Sequence, residues 1–114
     1  MNSESLRQVE KENWTELKTF HEAMKHTFHP SEDGNLLPIR ERAQEMAEKA
    51  KKMQNGNIPS SYYTPEVQSS INKLVSGSET LHELVLNFAD DETIKRKLSD
   101  LHDVFHLIKG PCKR

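Results

Sequence analysis

The sequence predicts an all-α protein, an antiparallel up-down-up-down four-helix bundle, with residues 1–114 forming a single domain. Three observations predict it. Apolar residues recur at helical spacing in four separate stretches. Gly and Pro gather in or beside two short segments, Ser31 to Leu37 and Gln54 to Thr64. The composition, 33% hydrophobic and 30% charged, suits helices that each bury one stripe and wet the remainder.

The first helix is expected from about Ser5 to Thr27, with Ser3 as its N-cap. Leu6, Val9, Asn13, Leu17, Phe20, Met24 and Phe28 form its stripe. His29 and Pro30, followed by Asp33, Gly34 and Asn35, end the helix and turn the chain. The second helix is expected from Pro38 to Gln54, with Ile39, Ala43, Met46, Ala47, Ala50 and Met53 inward. Its alanines let a neighbouring helix come close. Gly56 suits a left-handed C-cap, and an extended connection follows from Ile58 to Tyr63.

Thr64 and Pro65 open the third helix as N-cap and first helical residue. It runs to about Phe88 with Val67, Ile71, Leu74, Val75, Ser78, Leu81 and Val85 inward, and Gly77 is its weak point. Asp90 caps the fourth helix, which runs to about Lys109 with Ile94, Leu98, Leu101, Phe105 and Ile108 inward. Gly110 and Pro111 end it. Short links between sequence-adjacent helices favour antiparallel packing.

Charge narrows the function classes. The net charge is −2, and 16 Lys and Arg are interleaved with 18 acids, so no basic face offers itself to nucleic acid. No 18-residue apolar run is present to span a membrane. The first residues carry no signal peptide, which points to the cytoplasm, or to the periplasm or the exterior if a leader has been removed. Cys112 is the single cysteine, so no internal disulfide forms. No phosphate-binding loop and no nucleophilic triad stands in the chain, and a non-enzymatic role is expected. A di-iron site needs Glu-x-x-His on two helices, and only Glu79 with His82 has that spacing.

The six histidines carry the chemistry. His102 and His106 lie four apart on one helix face, where two imidazoles can share one ion. His21 stands beside Leu17, Met24 and Phe28 at the edge of the first stripe, and His29 can fold back from the first turn. Asp103 and Glu22 are candidates to orient ring nitrogens. His82 reads as a boundary residue and His26 as surface. A transition-metal site is therefore expected at His21, His29, His102 and His106, with zinc favoured because imidazole and an optional Cys112 thiolate suit it. The alternative is a cofactor-free helical interaction protein whose histidines are incidental; its protein partner is not written in the sequence.

The run from Leu98 to His106 resembles the haem-attachment helix of cytochrome c-prime-type bundles. Leu98 and Leu101 stand where that family has its cysteines, and His102 where it has its axial histidine. The resemblance implies a four-helix bundle without covalent haem. The related b-type bundles use a methionine early in the first helix, whereas Met24 lies near the other end, so no haem is expected. Met24, the run Thr27 to Pro30, Gly34 with Asn35, Ile58 with Pro59, and His102, Asp103, Phe105 and His106 are also similar to a group of small uncharacterised bacterial helical proteins. That resemblance brings no activity with it. His106 to Gly110 resembles the H-x-L-K-G of histidine phosphotransfer domains, which implies phosphorylation of His106 as a further alternative.

Overall fold

The computed structural model of the protein describes residues 14–109. It is all-helical, with four α-helices and no strand among the described residues: α1 (Thr15–Glu32), α2 (Leu37–Asn55), α3 (Pro65–Leu86) and α4 (Asp91–Lys109). None of these helices is long and apolar enough to cross a membrane.

Trp14 is extended, so α1 starts at Thr15 and the helix does not run on unbroken from Ser5. Ser3, Leu6, Val9 and Asn13 lie outside the described residues. The other end of α1 also differs from expectation. The helix passes through His29 and Pro30 to Glu32. Pro30 cannot donate to the His26 carbonyl and its ring crowds that turn, but only two residues of helix follow it. The carbonyl of Pro30 accepts from Asn35 N at 2.9 Å while Ser31 O accepts from Gly34 N at 3.0 Å, with Gly34 left-handed at φ 89°. This is the two-bond Schellman closure. Thr27 and Ser31, both buried, donate their hydroxyls back into the helix, Thr27 to Ala23 O at 2.8 Å and Ser31 to Phe28 O at 2.6 Å.

α2 begins one residue before Pro38, with Asn35 Oδ1 accepting from Leu37 N. Gly56 ends it in an extended conformation (φ −88°, ψ −174°), not a left-handed one. Glycine serves here for close approach: a Cβ would lie 2.9 Å from Lys52 O and 3.3 Å from the Glu16 carboxylate. The connection from Ile58 to Tyr63 is not wholly extended either. Ser60–Tyr62 forms a 3₁₀ turn whose Tyr62 ring packs on Trp14, centroids 4.8 Å apart.

Thr64 caps α3 as expected, its hydroxyl accepting from Val67 N at 3.1 Å. α3 closes by the same Schellman pair of bonds as α1, Ala89 N to Leu84 O and Phe88 N to Val85 O, but the left-handed residue is Phe88 (φ 58°). Asp90 caps α4 by accepting from Thr93 N at 2.9 Å, and these Thr93 hydrogen bonds hold its carboxyl below the usual range. Gly110 and Pro111 lie outside the described residues.

One core joins all four helices. The buried side chains of α2 and α4 are the two predicted stripes, residue for residue. α3 buries Ile71, Leu74, Val75, Ser78 and Leu81 as predicted, together with Ser70 and Gly77, while Val67 and Val85 are half-buried. Gly77 is less a weak point than a notch. A Cβ there would lie 2.6 Å from Leu101 Cδ2, so its absence lets α4 nest on α3.

Candidate functional site

α1 and α4 meet through aromatic rings. Phe20 packs on Phe105 with centroids 5.5 Å apart. Beside that contact the two helices present histidines, lysines and phenylalanines at helical spacing. From α1 come His21, Lys25, Phe28 and His29, with the Met24 side chain behind them. From α4 come His102, Phe105, His106 and Lys109. Together they line a pocket of about 80 Å³, room for an ion with water.

His102 and His106 form the centre of the chemistry. Their Nε2 atoms are 3.2 Å apart and their rings nearly perpendicular, at 84°. One ring donates and the other accepts, so the pair as it stands is uncharged or carries a single shared proton. His102 stacks flat on Phe28, centroids 3.9 Å apart and planes 6° apart. This burial, and then the neighbouring His106, pushes its pKa below the ordinary 6.5. The lowered pKa favours the neutral ring, the form that can ligate.

His21 stacks on Phe105 at 5.3 Å. Its pKa is lowered by burial first, then by the positive charges of Lys109 and Lys25. His29 sits on the exposed rim beside Phe28, with its Nδ1 3.5 Å from Glu32 Oε1. All four sequence-predicted histidines thus line one pocket. They do not converge as four ligands. No group of three His, Cys, Asp or Glu among the described residues is arranged to hold a metal ion.

The remaining candidates fall elsewhere. His26 is exposed and pairs with Glu22 at 3.1 Å, so Glu22 does not orient a pocket imidazole. His82 is half-buried on α3. Asp103 acts on His102 through its charge, raising its pKa against the lowering by burial. Cys112 lies outside the described residues. The Nε2 of His106, the atom a phosphotransfer role would use, is engaged with His102. Lys25 and Lys109 were not singled out from the sequence. The signal for them was present, since Lys25 is four residues from His21 and Lys109 three from His106.

Two imidazole nitrogens 3.2 Å apart have the bite of a chelate. With metal–nitrogen bonds of about 2.0–2.1 Å they subtend about 100–105° at an ion, between the octahedral and tetrahedral angles.

Fold and pocket define a small all-helical protein with a histidine-lined cleft between α1 and α4. Compared with known proteins, the chain matches no family model, no curated protein and no solved structure.

Proposed function

We propose that the chain is a non-enzymatic, metal-binding helical bundle. An imidazole-seeking transition ion such as zinc sits between His102 and His106, with His21 and His29 lining the same pocket. The observation that carries this reading is the 3.2 Å separation of the two Nε2 atoms. A stacked, partly desolvated ring on one side and an exposed one on the other give an ion a fixed ligand and an entry path. The reading includes the antiparallel up-down-up-down arrangement of the helices. It is supported by the short links, by the pairs Gln54 with Asn72 and Lys51 with Glu79, whose numbers run in opposite senses along α2 and α3, and by Arg40 with Asp91, which sets the starts of α2 and α4 side by side.

The test is calorimetric titration of zinc, copper and nickel into wild type, His102→Ala, His106→Ala and His26→Ala. The two α4 variants are expected to lose most of the affinity and His26→Ala none. Metal at a hundredfold excess over Kd should stabilise the wild type by about 2.7 kcal/mol, since the unfolded chain scatters the ligands. Equal binding by all four proteins, or none by wild type, overturns the reading.

A further inference from the structure

Resting on the reading of His102 and His106 as ligands, we propose that the pocket is a copper(I) site whose third donor is the Met24 thioether. The His pair supplies two nitrogens, and no third His, Cys, Asp or Glu joins it among the described residues. Met24 lines the same pocket and carries a donor of another kind. Its side chain is buried in the core beside the pocket. Two imidazoles and a thioether form an uncharged N₂S set, which favours a soft ion over a hard one.

Charge points the same way. Lys25 and Lys109 both line the pocket. Among the described residues, no Asp or Glu lines the pocket; Glu22 and Glu32 face His26 and His29. Coulomb repulsion from the two ammonium groups is twice as large for a divalent ion as for a monovalent one. Zinc at this pocket meets two neutral rings and two cations with no anionic ligand. Copper(I) meets half the repulsion and gains a sulfur donor. The Phe28 and Phe105 rings that stack on His102 and His21 give the pocket apolar walls, which suit an ion that does not depend on aqua ligands.

The experiment is anaerobic competition for copper(I) against bicinchoninate, with zinc titrations run in parallel. The proteins are the full chain, Cys112→Ser, Met24→Leu in the Cys112→Ser background, and His102→Ala. Cys112→Ser removes the thiol as a rival ligand and is expected to keep its copper(I) affinity. Met24→Leu fills the same volume without the donor. It is expected to weaken copper(I) at least about tenfold and to leave zinc unchanged, which also reports that the pocket is intact. X-ray absorption of copper(I)-loaded Cys112→Ser is expected to show a sulfur neighbour; this measurement stands even if Met24→Leu fails to fold. No sulfur neighbour, or undiminished copper(I) binding by Met24→Leu, overturns the proposal while leaving the His pair as a metal site. So does a collapse of copper(I) binding in Cys112→Ser alone. Undiminished binding of both ions by His102→Ala overturns the proposal and the reading beneath it.

Discussion

Phe88 offers a direct measure of what a wrong residue costs in a right motif. α1 and α3 end in the same pair of closing bonds, one with Gly34 in the left-handed position and the other with Phe88. An L-residue held there loses about 1–2 kcal/mol to the clash of its Cβ with the backbone. Glycine escapes that clash but costs about 0.4–1 kcal/mol through the greater freedom of its unfolded chain. Phe88→Gly should therefore be about 0.5–1 kcal/mol more stable than Phe88→Ala, which keeps the Cβ. Phe88 is 87% exposed. At ~25 cal/mol per Å², the covered remainder of its side chain is worth at most about 0.6 kcal/mol in either variant. Gly34→Ala is the reverse experiment. A Cβ there would have no neighbour within 4 Å, so its loss of about 1 kcal/mol would come from backbone alone. The assay is urea unfolding followed by circular dichroism, backed by melting curves, where 1 kcal/mol moves a domain of this size by about 4 °C. Phe88→Gly no more stable than Phe88→Ala would refute the strain argument.

Two further outcomes follow from other residues. Arg40 Nη2 donates to Ala89 O and to Asp91 Oδ1, each at 2.8 Å, pinning the start of α2 to the turn between α3 and α4. Arg40→Met should cost about 1–3 kcal/mol in denaturant unfolding, whereas Asp91→Asn, at a side chain 68% exposed, should cost under about 1 kcal/mol; equal losses would show that the carbonyl bond contributes nothing. For His21 the folded pKa lies below the ordinary 6.5, so the unfolded chain takes up its proton first as pH falls. Its contribution to stability is full above 6.5 and is lost as pH drops through the folded value. Melting temperatures in chelator from pH 7.5 downwards should fall less steeply for His21→Gln, and an unchanged slope would remove His21 from the account.

Legibility varied with the kind of information each residue carries. The buried faces of α2 and α4 could be read because one uninterrupted 3.6-residue period sets them. Met46 and Met53, or Leu98 and Phe105, have no other way to leave water. The ends were harder. Gly56 and Gly34 look alike in sequence, yet one is extended against a carbonyl and the other left-handed in open space. Nothing local distinguishes them, because the Glu16 side chain that crowds Gly56 comes from another helix. The notch at Gly77 is similar. Propensity alone marks it as a defect, and only the arrival of Leu101 makes it a fit.

The pocket turns on the one place where α1 breaks a local rule. A helix that stopped at Thr27 would release Phe28 and His29 from the face that carries His21 and Lys25. Because the chain stays helical through Pro30, Phe28 falls seven residues after His21 and four after Met24, on the same side of the helix. From there its ring lies flat on His102 and sets the plane of that imidazole. The i,i+4 pair on α4 was visible from spacing alone, but spacing left its two rings free to rotate. Their Nε2 atoms stand 3.2 Å apart with one ring held against Phe28, and Thr27 and Ser31 on either side of Phe28 donate their buried hydroxyls to carbonyls of the same turns. The departure from the proline rule and the geometry of the histidine pair thus have a common cause in the last two turns of α1.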